Sequence, residues 1–481
     1  MKHHMLAGML LLATAAATLP SCRKALDQEP YNQADAELAF NTPSDFLNNT
    51  RGMYNRMVFA DNYIGGEDAF AWISSMDILA DNVNICQTGR FSQSTFFNYN
   101  YSGNETTNAW GNAYRIVRSA NAILANIDKL KDEEVRQGFE SEALAVRAMC
   151  HFDLLRLYGP ALTGANANAS ALAVPYVTSL DINAKPSRET AEAVYAKVVA
   201  DLEKAVTHMP VANEAGRLNQ AGVYGLLSRV YLYGGEMQKC IDAAAASLAQ
   251  NSEVGSLATF PAVWKDASSQ GVLFKVIVTD IDRVTPGVGF NQSSPQGVKN
   301  EYVADFGFYE SFDSTDVRKT AYFRTSTYSG VPYNAIVKYT GKTGSAANVV
   351  DIKYLRVAEV LLNKAEAEAT LGMDGDALTD LNDLRSNRYA NYTPGAESGN
   401  DLKEAIRGER RKELAYEGHR FFDLKRWGLG VTRTAAGDRA DGSGVPPLVQ
   451  QLAAGDHRFL LPIPQDEINA SGNKIVQNPG Y

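Results

Sequence analysis

The chain has 481 residues, with 46 lysines and arginines against 55 aspartates and glutamates, a formal net charge of −9. Its 45% hydrophobic and 21% charged residues are those of a folded globular protein, which excludes a disordered or collagen-like chain. The acidic balance argues against nucleic acid as a partner, and no apolar run reaches the roughly 20 residues that cross a bilayer as a helix.

Lys2, His3 and His4 precede an apolar stretch over residues 5–19, the pattern of a secretory signal. It ends Leu19-Pro20-Ser21-Cys22, which resembles a bacterial lipobox and predicts a signal peptide over 1–21 with Cys22 lipidated. Acyl chains at about 0.8 kcal/mol per buried methylene would then hold the protein on a membrane. Cys86, Cys150 and Cys240 remain, an odd number that cannot all pair internally. Beyond the leader the histidines are scattered (His151, His208, His419 and His457), and no Cys or His cluster has metal-ligand spacing, so neither metal nor cofactor is expected.

Apolar residues at three- and four-residue spacing predict helices over 110–130, 139–158, 190–209, 218–233, 354–371 and 376–389. Gly159-Pro160, Pro210 and Gly372 are stop signals for three of them. Displaced by 137 positions, Gly235 falls on Gly372, Cys240 on Ala377 and Ile241 on Leu378. Glycine at the turn and small residues at the crossing are what tetratricopeptide-type helix pairs need. Between these pairs, residues 271–279 (GVLFKVIVT) read as a buried strand, and 280–344 as a Gly-, Ser-, Asn- and aromatic-rich insert. A second loop-like stretch, 86–108, carries the run FFNYNY at 96–101.

No HExxH, GxSxG or GxGxxG is present, and Gly341-Lys342-Thr343 lacks the earlier glycine of a phosphate loop. The densest charged motif is residues 409–420, ERRKELAYEGHR. Glu409, Glu413 and Glu417 recur every four residues, which would align three carboxylates on one helical face. A glycosidase acid/base pair is the sharp reading. Adjacent Arg410, Arg411 and Arg420 and the following Phe421, Phe422 and Trp427 favour an ion-pair network instead, with His419 a packing residue.

Residues 409–427 (ERRKELAYEGHRFFDLKRW) closely resemble the signature of the SusD/RagB family of Bacteroidetes outer-membrane lipoproteins. Residues 22–30, 141–159, 354–369 and 460–481 resemble other motifs of that family in the same order, and 313–318, with Asp316 and Arg318, a smaller one. The resemblance implies a mainly α, SusD-like fold of four tetratricopeptide-like helix pairs with a loop-rich insert carrying short strands. It implies one unit over 22–481: helical scaffold over about 31–250 and 351–430, variable insert over about 251–350, and a C-terminal loop-rich segment over about 431–481. It further implies a non-enzymatic, surface-exposed lipoprotein of the outer membrane, facing the exterior. Such a protein captures oligosaccharides and delivers them to a SusC-like TonB-dependent transporter; peptide or glycopeptide capture fits the same scaffold, and a surface glycoside hydrolase fits less well.

The family's ligand residues vary too widely to carry over, so candidates rest on chemistry. Aromatic faces stack on sugar C–H surfaces, while Asn, Asp and Arg hydrogen-bond hydroxyls. Phe91, Phe97, Tyr99 and Tyr101, with Asp81, Arg90 and Asn100, form a first candidate cluster; Phe290, Asn291 and Tyr302 form a second. Trp72 and Trp264 are expected in the core.

Overall fold

The computed structural model describes residues 39–58, 72–105 and 107–481; Cys22 and the leader lie outside them. Helices begin where side chains can satisfy the first free amides. Thr42 and Asp45 form a reciprocal capping box ahead of the Pro43–Asn55 helix. Asp132, Thr190 and Asn219 cap Glu133–Tyr158, Ala191–His208 and Gln220–Gly234. Gly235 and Gly372, at φ of 78° and 79°, supply the left-handed turns that follow two of the helices.

These helices pack in sequence. Ala109–Asn126 lies on Glu133–Tyr158, which lies on Ala191–His208; Gln220–Gly234 pairs with Met237–Leu248. Val357–Thr370 pairs with Asp374–Ser386 and also packs on Met237–Leu248 and Gly399–Glu413. Trp72 and Trp264 are 2% and 1% exposed, both within the main core. The result is a mainly α protein with small sheets.

The strand expected near 271–279 is β2 (Val272–Val276), paired antiparallel with β8 (Ile352–Arg356). Residues 354–356 are therefore strand, and the helix predicted from 354 starts at Val357. The apolar run fits either period, and pairing with β2, far away in sequence, decides it. The insert holds β3 (Gln292–Ser294), β4 (Gly297–Lys299), β6 (Phe323–Tyr328) and β7 (Val331–Ile336) in one four-stranded sheet. β5 (Tyr302–Ala304) leaves it to pair with β1 (Val83–Ile85), which ties the insert to the segment before the Ala109–Asn126 helix.

The 409–420 motif is built as an ion-pair network. Glu413 receives Arg356 at 2.8 Å, Arg388 at 2.8 Å and Arg318 at 3.2 Å, and is fully buried. Glu409 meets Arg318 at 2.6 Å and Arg385 at 3.1 Å. Glu417 does not share their helix, which ends at Glu413. The Asp77 carboxylate accepts the amides of Tyr416 at 3.0 Å and Gly418 at 2.9 Å and so holds a turn there. From that turn Glu417 meets Arg356 at 2.7 Å and Lys338 at 2.8 Å. His419 is 5% exposed, and burial pushes its imidazole well below its ordinary range. Lys342 of the Gly341-Lys342-Thr343 segment is committed to Asp351 at 2.9 Å and the Val278 carbonyl at 2.6 Å. Cys86, Cys150 and Cys240 are buried, and Cys86 and Cys240 are outside any disulfide.

A second ion pair sets an acid limit. Glu366 accepts from Arg426 at 2.6 and 2.7 Å and from the Trp427 indole at 2.6 Å. Burial alone would raise its carboxyl, but Arg426 outweighs this and brings it to about 2. A folded-state value below the unfolded one contributes stability in full above about pH 4.5, lost as pH falls towards 2. Between pH 6 and 2.5 the wild type should lose on the order of 3 kcal/mol more than Glu366→Gln in urea titrations. Parallel pH profiles of the two proteins would refute this.

Candidate functional site

The two candidate clusters are brought into one region by the β1–β5 pairing, in which Ile85 faces Tyr302. Arg90 reaches across to Glu301, with Nε 2.8 Å from Oε1, and the other Glu301 oxygen accepts the Ser92 amide at 3.0 Å. The Tyr302 hydroxyl donates to the Ser92 carbonyl, and its ring lies 6.0 Å from that of Phe97. Glu301 is 3% exposed, so its charge is balanced locally by Arg90, whose side chain stays 39% exposed.

Between residues 91 and 101 the backbone turns back on itself. Phe91, Gln93 and Tyr99 have φ of 59°, 58° and 56°, a conformation uncommon for residues with a Cβ. Buried side chains hold it. Phe97 is fully buried and Tyr99 and Tyr101 are 3% and 5% exposed. The Tyr99 hydroxyl donates to the Leu79 carbonyl and that of Tyr101 to the Arg458 carbonyl. Phe96 stacks on Tyr101 at 5.1 Å, and Tyr101 on Tyr481 at 6.1 Å. Desolvation raises the Tyr99 hydroxyl to about 12, so it stays a donor at any physiological pH.

Beneath the turn lies Arg433, 2% exposed. Its guanidinium donates to the carbonyls of Ile78 (2.9 Å), Ala80 (3.0 Å), Phe97 (2.6 Å) and Val449 (2.9 Å). The Phe97 ring covers it at 3.9 Å and the Tyr99 ring at 4.8 Å. Arg433 thus ties the end of the Trp72–Ile78 helix, the aromatic turn and the loop over 434–450 to one point. That loop closes the region from the other side: the Asp438 carboxylate accepts the Gln87 amide at 3.0 Å and the Val445 amide at 2.9 Å.

The ten candidates therefore divide. Phe91, at 42% exposure, is an open aromatic face, and Asn100 is exposed; Arg90 is half-open beside them in sequence. Phe97, Tyr99, Tyr101 and Tyr302 present no face to solvent and support the turn instead. Asp81 is 4% exposed and bound by Arg420 at 2.8 Å and Arg411 at 3.4 Å. Burial alone would raise its carboxyl, but these two arginines outweigh it and leave it lowered. Phe290 is 2% exposed against Tyr416, and the Asn291 carbonyl accepts the Asn348 amide at 2.8 Å. Amide atoms of Asn84, Gln93, Asn98, Asn291 and Asn300, all in this region, lack a hydrogen-bond partner. Glu301, Arg433 and Asp438 were not among the sequence candidates. The Gly-, Asp- and Pro-rich stretch at 437–447 is a turn signal that could have flagged the loop.

Among the described residues no three His, Cys, Asp or Glu side chains are grouped to hold a metal, and no helix is long and apolar enough to cross a membrane. Glu413 and Glu417 are buried against arginine and lysine, which leaves neither to reach a substrate.

Two family models match the chain: one described as the SusD family over residues 282–481, the other as starch-binding, associating with outer membrane, over 25–232. SusD-like protein P2 of Formosa agariphila is 24% identical over 533 residues, spanning all of both chains. The crystal structure of a putative sugar binding protein from Bacteroides vulgatus superposes with a TM-score of 0.78 at 28% identity, covering 92% of this chain and 99% of the other. A SusD superfamily protein from the same species gives a TM-score of 0.80 at 26% identity, covering 92% and 100%. Matched in both its halves, and sharing its whole fold with these proteins, the chain belongs to the SusD/RagB family.

Proposed function

We propose that this protein is a glycan-binding lipoprotein of the outer membrane, anchored through Cys22, which captures oligosaccharides and hands them to a SusC-like TonB-dependent transporter. The observation that carries the binding reading is the exposed Phe91 ring, set by a left-handed backbone next to an arginine that Glu301 holds in place. A flat aromatic face offers stacking to a pyranose, and Arg90 and Asn100 offer hydrogen bonds to hydroxyls. Similarity to a protein described as sugar binding supports the same ligand class, and the family description of outer-membrane association supports the location.

The test is a glycan array on the soluble form, residues 23–481, followed by calorimetry on the hits. Phe91→Ala is expected to weaken the selected glycan by about 1 kcal/mol, roughly fivefold, with no change in melting temperature, because the ring is exposed. Unchanged affinity would remove Phe91 from the site. Silence across plant, host and microbial glycans, with binding of peptides instead, would overturn the ligand class.

A further inference from the structure

The paired helices Val357–Thr370 and Asp374–Ser386 meet through three charged side chains that belong neither to the candidate site nor to the 409–420 network. Lys364 lies 2.6 Å from Oε1 of Glu368, one turn further on, and 2.8 Å from Oδ2 of Asp380 on the facing helix. Glu368 is 2% exposed. One ammonium thus serves two carboxyls, and these two are also in hydrogen-bond contact with each other. Ionised carboxylates only accept, so that contact is a hydrogen bond only when one of the two carries a proton. Oε2 of Glu368 meets no donor from the protein. The surroundings add no second cation to the pair. Asp383 brings a further negative charge beside Asp380. The Met237–Leu248 helix packs on the other side with the thiol of Cys240, which burial keeps protonated. Gly399–Glu413 presents the apolar Leu402 and Ile406. Arg426 is committed to Glu366, and Arg385 to Glu397 and Glu409.

We propose that Glu368 and Asp380 share one proton and act as a pH-sensitive clasp between these two helices, closed in acid and slackened when the proton leaves. Without it, two like charges face each other across a single ammonium at a place that water barely reaches. Leu381 and Leu384 are fully buried and Arg385 ties down the end of the second helix, so the movement falls on its first turns and on the preceding loop, residues 371–380. Burial, and after it the charge of Asp380, outweighs Lys364 and raises the Glu368 carboxyl to about 7. A carboxyl that keeps its proton to a higher pH folded than unfolded stabilises in full below about pH 4.5 and loses that contribution as pH rises through about 7. This direction is opposite to that of Glu366, two positions away, whose arginine partner lowers it.

The experiment is amide hydrogen exchange of the full chain at pH 5.5 and pH 8, with each rate divided by that of an unstructured peptide at the same pH. Protection of residues 371–380 should fall by about tenfold between the two, while the Glu133–Tyr158 helix changes little. Asp77, at about 6, and Lys425, at about 7, titrate elsewhere over the same range, so the deciding comparison is between proteins. Glu368→Gln keeps the shape and carries no charge at either pH, and its protection over 371–380 should stay high and flat. If Glu368→Gln is already less protected at pH 5.5, Asp380→Asn decides in its place, because it also leaves one carboxyl opposite Lys364. A flat profile in the wild type would overturn the clasp. So would a fall of equal size in the wild type and in the deciding variant, or a wild-type fall spread evenly over the chain.

Discussion

Glu413→Ala is expected to destabilise the folded chain by about 3–5 kcal/mol, read as a fall in the urea midpoint at pH 7. The glutamate is the common partner of Arg318, Arg356 and Arg388, each at 3.2 Å or less. Removing it takes the carboxylate from buried Arg388 and leaves Arg318 to Asp316 and Glu409 and Arg356 to Glu417, so a cluster of buried guanidinium groups loses its shared counter-charge in a place water does not reach. Glu413→Gln should cost nearly as much, since it keeps the volume and removes only the charge. The same charge balance sets the direction with pH. Burial would raise the Glu413 carboxyl, but Arg388 and Arg356 outweigh it and hold it well below the usual carboxylate range. Its contribution is therefore complete above about pH 4.5 and is lost only under strong acid. A loss below about 1 kcal/mol for both variants would mean the network is not a determinant of stability.

How far the sequence shows this arrangement depends on the distance over which each feature is decided. Local signals carried the helices expected from periodicity, though Pro43–Asn55, with a cap just as local, was not among them. Thr42, Asn219, Gly235 and Gly372 act within a turn of their own positions, and the helices start or stop beside them. Residues 354–356 were misread because their partner strand, β2, lies some eighty positions earlier, and nothing local distinguishes a short apolar strand from the first turn of a helix. The acidic residues of the 409–417 stretch were visible, and so was their structural role. Their partners Arg318, Arg356 and Lys338 were not, because they come from the insert and from β8. The candidate site was legible as composition only. Aromatic residues in loop-like sequence suggested an open platform, yet Tyr99 and Tyr101 find backbone carbonyls for their hydroxyls and turn inward, leaving Phe91 outside. A single sequence carries residue type; which face a ring shows is settled by the atoms it meets.

Arg433 is where that difference has the largest consequence for binding. Arg433→Met is expected to cost about 3–5 kcal/mol and to loosen residues 78–101 more than the helical scaffold. The methionine keeps much of the apolar stem but returns four carbonyls, at Ile78, Ala80, Phe97 and Val449, without their donor. An unpaired buried carbonyl costs about 1–3 kcal/mol, so the total assumes that some of the four regain water as the turn opens. It also removes the cation under the Phe97 and Tyr99 rings. Amide hydrogen exchange should therefore quicken in residues 78–101 and 445–450, with the Glu133–Tyr158 helix still protected. Arg433→Lys should recover part of the loss, because one ammonium has three donors but cannot span three chain segments as the guanidinium does. Glycan affinity should fall further in Arg433→Met than in Phe91→Ala, although Arg433 is too buried to touch a ligand. If exchange quickened evenly across the chain, Arg433 would be one more core contact. If it quickened only around the turn, the cation is what turns a run of aromatic residues into a fixed mount for the one ring left exposed.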